Sequence, residues 1–335
     1  MTITITDKLK TAYREGLTRL YGSEDAYTLF ERSFITLFAE DREELVGAVR
    51  IISEGVETAL LVDLEATGTG NSEGTQNEIK RALLFEVEKR LTGRRVMAYG
   101  SRRDLDLFEE MGFGRCKNAW TFYRESFDEA EFLPAGFRYE NEFLPAPPRP
   151  VTQEASRSGA YAEKRAQAHI TYRSSVSETT YEAINEVLTK AFWGHPHDVE
   201  KTTEAFKNSQ FAVAAYDGVK LVGVARAVAD TGKEDEWSTE GKYATILNVA
   251  VDPGYQGLSI GKNLVLNLSG LIPAKTIVLN THPGAVGFYN KIREYRRNLY
   301  VFEKHIHEGG QREMPPERRI SMFTPKGFKF PQEYI

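Results

Sequence analysis

The sequence predicts a mixed α/β chain built from two tandem copies of one domain, each a sheet flanked by helices, and three observations carry that expectation. The first is size: 335 residues, 41% hydrophobic and 27% charged, hold two cores at roughly 150 residues per domain. The second is a repeated hairpin. Phe34 to Ala39, a charged turn and Glu44-Leu45-Val46-Gly47-Ala48-Val49-Arg50 are answered by Phe211 to Tyr216, Asp217-Gly218 and Lys220-Leu221-Val222-Gly223-Val224-Ala225-Arg226. Both are strand, tight turn and strand, and both close on Leu-Val-Gly-x-x-Arg. The third is a later landmark, Leu107 to Phe113 against Phe288 to Glu294, each a short helix leading to an aromatic-rich strand. The hairpin glycines lie 176 positions apart, and Phe108 and Tyr289 lie 181 apart. A near-constant offset of this kind marks a duplicated domain.

In the first copy the expected elements are an opening strand Thr2 to Thr6, a helix Lys8 to Tyr21, the hairpin, a strand Ala59 to Leu64 and a helix Asn77 to Leu91. Pro145, Pro147, Pro148 and Pro150 then fall within six residues, followed by a polar run to about Ala168. Prolines so dense neither pair in a sheet nor continue a helix, so this stretch is expected to be a stiff linker. The division is therefore 1–144, a linker 145–168, a second domain 169–308 and a tail 309–335 whose Phe323, Phe328 and Phe330 are expected to clasp one domain.

The second copy reads as strand Ile170 to Val176, helix Thr179 to Phe192 with Ile184, Val187, Leu188 and Ala191 on one face, helix Val199 to Asn208, and the hairpin. Strand Ala244 to Val251, helix Ile260 to Leu268, strand Thr276 to Asn280, helix Gly284 to Ile292 and a single strand Tyr295 to Glu303 complete it.

Composition narrows the function classes. Lys and Arg number 43 against 48 Asp and Glu, a net charge of −5, which gives no global field for holding a polyanion such as bulk nucleic acid. One cysteine, Cys116, forms no internal disulfide and no thiolate cluster, which points to the cytoplasm. The N-terminus lacks a basic stretch followed by an apolar one, and no run of about 18 apolar residues occurs, so neither secretion nor a membrane partner is expected.

The segment carrying chemistry runs from Ile246 to Asn263, where an apolar strand ends at Pro253-Gly254 and passes through Gln256-Gly257-Leu258-Ser259-Ile260-Gly261-Lys262 into a helix. Glycines let backbone approach a ligand closely, successive N–H groups point outward, and a helix N-terminus carries partial positive charge. Such a cradle suits a pyrophosphate, to which Lys262 adds a charge and Ser259 a hydroxyl. Neither G-x-G-x-x-G nor G-x-x-x-x-G-K-[ST] is present, so the dinucleotide fold and the P-loop are set aside. About 30 residues downstream come Leu279-Asn280-Thr281-His282 and Ala285-Val286-Gly287-Phe288-Tyr289-Asn290-Lys291.

Together these segments resemble the GNAT superfamily of acyl-CoA-dependent N-acyltransferases. The family pattern V-x-P-x-x-[Q/R]-x-x-G-x-[G/A] is matched by Val251, Pro253, Gln256 and Gly261, with Ser259 where a glycine is usual. The pattern N-x-x-A-x-x-F-Y-x-K is matched in order by Asn280, Ala285, Phe288, Tyr289 and Lys291, with a longer gap after Asn280 and with Arg293-Glu294 for the common Gly-Phe. The resemblance covers about 170 to 305. It implies two tandem domains, each around a twisted, mostly antiparallel sheet, and acetyl-CoA or another acyl-CoA as co-substrate with no metal. It further implies that Val249 and Val251 present unpaired backbone donors at a splay between two strands, that Gln256, Gly257, Leu258, Ser259, Ile260, Gly261 and Lys262 hold the pyrophosphate with Lys291 nearby, and that Tyr289 serves the departing thiolate, with Asn280 beside it.

The base that takes the amine proton is left open. His195 and His197, in the turn after the first helix, have a suitable pKa, and Asp230 or the acids Glu234, Asp235 and Glu236 are alternatives. His195-x-His197 and His305-x-His307 lack cysteine partners and helical ligand spacing, so no metal is expected. The first copy lacks the proline and forms the cradle poorly: Gly68, Gly70 and Gly74 offer backbone N–H groups, but Asp63, Glu65 and Glu73 there repel a phosphate, and Phe108 stands in place of Tyr289, so it is expected to be a degenerate copy. The acceptor expected is a small-molecule or peptide amine, and a homodimer is left open. Aminoacyl transfer from a charged tRNA, and a CoA-binding sensor or scaffold without turnover, are the alternatives.

Overall fold

The computed structural model describes residues 3–67, 73–100, 102–116, 119–123, 169–191, 199–230, 241–281, 285–298 and 301–306. The linker 145–168, the tail 309–335, His195 and His197 lie outside the described residues. The N-terminal half runs β1 (Ile3–Thr6), a 3-10 turn into α1 (Arg14–Tyr21), α2 (Ala26–Glu31), β2 (Ile35–Asp41), β3 (Glu44–Ser53), β4 (Thr58–Ala66), α3 (Glu73–Arg90), β5 (Arg95–Tyr99), α4 (Leu105–Glu110), β6 (Gly114–Arg115) and β7 (Ala119–Tyr123). The C-terminal half repeats that order: β8 (Ile170–Arg173), α5 (Tyr181–Ala191), α6 (Val199–Asn208), β9 (Phe211–Asp217), β10 (Lys220–Ala229), β11 (Gly241–Val251), a 3-10 turn Pro253–Tyr255, α7 (Ile260–Leu271), β12 (Ala274–Asn280), α8 (Val286–Tyr289), β13 (Tyr295–Asn298) and β14 (Val301–His305).

The repeated hairpin is legible in packing as well as sequence. A methyl group on Gly47 would stand 2.7 Å from Cγ2 of Ile79 on α3, and one on Gly223 would stand 3.0 Å from Leu264 and 3.2 Å from Ile260 on α7. The glycine lets the long helix of each half lie close on its sheet. Helix α5 shows the expected face, with Ile184, Val187 and Leu188 buried against Ala214, Tyr216 and Val224 of β9 and β10.

The sheets do not follow the division along the chain. One has the order β1-β2-β3-β4-β5-β14-β6 and the other β8-β9-β10-β11-β12-β7-β13, so each takes its penultimate strand from the opposite half. Val301 to His305 of β14 lie antiparallel to Tyr99 to Arg95 of β5, while Ala119 to Tyr123 of β7 lie antiparallel to Asn280 to Thr276 of β12. This corrects the expectation of one strand over Tyr295 to Glu303. The run is two strands that pair in different sheets, because β-propensity fixes an extended backbone and leaves the choice of partner to tertiary packing.

Equivalent faces of the two sheets also meet. Ile52, Leu60, Val62 and Met97 from the first half pack with Val228, Leu247 and Val278 from the second in one buried cluster, an arrangement like an isologous dimer interface within one chain. The other face of each sheet is covered by its own long helix, α3 over one core and α7 over the other.

Candidate acyl-transfer site

In the C-terminal sheet β11 and β12 run parallel and in register from Gly241 and Ala274 only as far as Thr245 and Val278. Beyond that fork β12 continues to Asn280, backed by β7, and β11 continues to Val251 without a ladder to β12. Part of the cause is a bulge: the register with β10 shifts so that Asn248 and Val249 stand opposite one residue, Ala225, and Asn248 has φ of 46°. Val249 and Val251 lie beyond the fork, on the part of β11 without a ladder to β12, and both are half-buried.

Beyond Val251 the chain turns sharply. Asp252 accepts a hydrogen bond from Gly254 N at 2.8 Å, which closes the turn at Pro253. Gly257 (φ 89°) and Ser259 (φ 64°) both adopt the left-handed conformation just before α7 begins. Gln256, Gly257 and Ser259 are exposed, Leu258, Gly261 and Lys262 half-buried and Ile260 buried, so the loop presents backbone while anchoring on one apolar side chain. The first amides of α7 have no acceptor in the preceding turn, and at 12 residues the helix carries a full macrodipole. Ser259 marks a cost, since a non-glycine residue here gives up about 1 kcal/mol.

Helix α8 docks against the start of α7: a methyl group on Gly261 would lie 3.3 Å from the Phe288 ring. Tyr289, on the same short helix, is 5% exposed and packs with Phe288 edge to face at 4.8 Å. Burial, with Tyr295 adding to it, pushes its hydroxyl well above the ordinary tyrosine value, so it is a protonated donor at neutral pH. Lys291 is exposed just past α8. Asn280, at the end of β12, donates Nδ2 to Glu303 Oε2 at 2.9 Å and to Cys116 Sγ at 3.3 Å, and Arg95 pairs with the same carboxylate. Its amide is thus engaged with a strand from the other sheet. Nothing in its motif signalled this, because Glu303 and Cys116 reach it only through the exchange.

Asp230 is fully buried, accepting from Arg50 Nη2 at 2.7 Å and from the backbone N–H groups of Lys242 and Tyr243 at 3.1 Å. It belongs to the junction of the halves. The arginine of Leu-Val-Gly-x-x-Arg also has a role that its motif does not state. Arg226, 1% exposed, donates Nε to Asn248 Oδ1 at 2.6 Å, and Arg50, fully buried, donates Nε to Asp63 at the matching bulge of β4. Its repetition at both hairpins was the available signal. Among the described residues no group of three or more His, Cys, Asp or Glu is placed to hold a metal ion, and no helix is long and apolar enough to cross a membrane.

Residues 179–295 match the model of the acetyltransferase (GNAT) family. An uncharacterized N-acetyltransferase, ycf52, of Pyropia yezoensis is 33% identical over 101 residues, 28% of this chain and 53% of that protein, so the match spans about half the length of that relative. Among solved structures, a GCN5-related glucosamine N-acetyltransferase region of a fungal multi-domain GH3 β-N-acetylglucosaminidase superposes with a TM-score of 0.51 at 11% identity, covering 90% of this chain and 38% of that one. A tandem GNAT protein from the clavulanic acid biosynthesis pathway superposes with a TM-score of 0.48 at 12% identity, over 92% of this chain and all of that one. The matched segment contains the fork, the cradle and α8, and the N-terminal half repeats its strand order element by element. The segment 179–295 is thus similar to the acetyltransferase (GNAT) family, and the half that precedes it has the same order of elements.

Proposed function

We propose that the C-terminal half transfers an acetyl or other short acyl group from acyl-CoA to a primary amine, and that the N-terminal half is a degenerate copy serving as scaffold. The single observation that carries this reading is the fork after Thr245 and Val278, which opens backbone on β11 directly before a loop with two left-handed residues and a helix N-terminus. The cradle from Gln256 to Lys262 holds the pyrophosphate, and the amides near Val249 and Val251 hold the pantetheine arm and polarise the thioester carbonyl. A neutral amine attacks that carbonyl; the C–N bond forms, the C–S bond breaks, and the nitrogen sheds a proton. Tyr289 donates its hydroxyl proton to the departing thiolate and regains one from solvent. No protein nucleophile is needed. The acceptor is a small-molecule or peptide amine, and the protein works in the cytoplasm, in keeping with its single, buried cysteine.

The N-terminal half supports its own side of the reading. Its bulge carries Asp63, held by Arg50 and by Lys242 at 2.6 Å, and Phe108 stands where Tyr289 stands. The test is thiol release from acetyl-CoA over a panel of amines. Amine-dependent release that falls in Tyr289→Phe supports transfer; CoA binding with no amine-dependent release favours a sensor.

A further inference from the structure

Arg226 takes no part in the chemistry just described, yet it is buried between the two halves. We propose that Arg226 is a positioning residue for the C-terminal site, and that the N-terminal half sets that site's geometry through Glu57 and Glu54. The proposal rests on the acyl-transfer reading and adds to it a route by which the degenerate copy acts.

The guanidinium bridges two things that have no covalent reason to move together. On one side Nε donates to Asn248 Oδ1 at 2.6 Å, and Asn248 is the left-handed residue of the bulge that opens β11. On the other side Nη2 donates to Glu57 Oε2 at 3.0 Å, and Nη1 lies 3.7 Å from Glu54 Oε1. Glu54 and Glu57 belong to the turn between β3 and β4, in the other half of the chain. Glu54 is itself fixed, accepting from Glu57 N at 2.9 Å and Thr58 N at 2.8 Å. A planar guanidinium with donors in a rigid fork transmits such a constraint, where a lysine ammonium would not. Its charge stays in the interior only while carboxylates face it, so loss of one carboxylate releases the fork from the bulge.

The mirror arrangement supplies an internal control. Arg50 Nε donates to Asp63 at the bulge of β4, and its Nη2 reaches Asp230, which follows β10 of the opposite half. Both arginines are equally buried and both join the halves, so a purely structural role predicts equal consequences. A positioning role predicts consequences for turnover on the Arg226 side alone.

The full chain is prepared with Arg226→Lys, Glu57→Gln and Arg50→Lys, each measured for thiol release at saturating acetyl-CoA, for unfolding midpoint, and for amide hydrogen exchange over 248–251. The expected result is a fall in kcat of about 10- to 100-fold for Arg226→Lys and Glu57→Gln, with KM for acetyl-CoA within about twofold. Arg50→Lys keeps the kcat of the parent although its midpoint drops as far as that of Arg226→Lys. Equal losses of kcat per folded molecule on the two sides, or parental kcat in Glu57→Gln, overturn the proposal. Should Arg226→Lys not fold, Glu57→Gln decides, because that side chain is partly exposed and its replacement is of equal size. If the parent itself releases no thiol, the acyl-transfer reading falls. Exchange then tests the clamp separately: faster exchange at 248–251 in Glu57→Gln supports it, and unchanged exchange overturns it.

Discussion

At the bulge of β4 stands Asp63 and at the bulge of β11 stands Asn248, each with positive φ and each gripped by a buried arginine from the neighbouring strand. Around these matched points the halves diverge. The first bulge is braced further: Lys242 pairs with Asp63, and the Tyr21 hydroxyl lies 2.8 Å from the carbonyl of Ala48 and 2.7 Å from that of Asp63. In the second half the strand leads instead through Asp252-Pro253-Gly254 into the exposed cradle. At the matching position of the short helices the aromatics differ by one hydroxyl, Phe108 stacking on Phe302 at 4.8 Å and Tyr289 packing on Phe288. A duplicated scaffold is thus preserved by shape, since glycine for close helix packing, arginine at the bulge and an aromatic on the short helix recur. The groups that bear chemistry are free to differ.

Substitutions at matched positions of the two halves are expected to have unequal effects. The largest effect is expected from Phe302→Ala, which lies in the C-terminal half yet fills the N-terminal core; its fully buried ring predicts a loss of about 3–5 kcal/mol in denaturant unfolding. Tyr289→Phe is expected to lower kcat about 100-fold, while Phe108→Tyr leaves turnover unchanged; steady-state thiol release compares the two. Because burial raises the Tyr289 hydroxyl, the pH–rate profile of the parent should show no alkaline limb from this residue below about pH 10. Gly47→Ala and Gly223→Ala are both expected to destabilise by about 1–3 kcal/mol, Gly47 more because its methyl meets Ile79 at 2.7 Å. Smallest is the acid response. Burial raises the Asp63 carboxyl, but Arg50 and Lys242 outweigh it and hold it below the usual aspartate value. Its contribution is therefore present above about pH 4 and is lost as pH falls through the depressed value, so Asp63→Asn should flatten the acid limb of an unfolding-midpoint profile. Asn248 does not titrate, and the matching bulge adds nothing to that limb.

Much of this architecture is written in local pattern. The hairpins, the amphipathic spacing of Ile184, Val187 and Leu188, and the turn at Pro253-Gly254 all act through neighbours a few residues away, and their elements stand where periodicity and turn chemistry put them. What the sequence hides is long-range. Tyr295 to Glu303 reads as one strand because nothing in an aromatic, β-branched run states which sheet receives it. Glu57 and Arg226 are 169 residues apart, and their contact exists only because the two sheets meet face to face. Asn280 is legible as a motif member, but its partners Glu303 and Cys116 arrive through strand exchange.

In the proposed function the C-terminal half of the chain holds acyl-CoA and the N-terminal half does not. Calorimetric titration of the full chain with CoA measures it directly, alongside Ser259→Asp, which sets a carboxylate at the mouth of the cradle. One CoA bound per chain is expected, and none in Ser259→Asp. Two CoA per chain, or one still bound in Ser259→Asp, would contradict it.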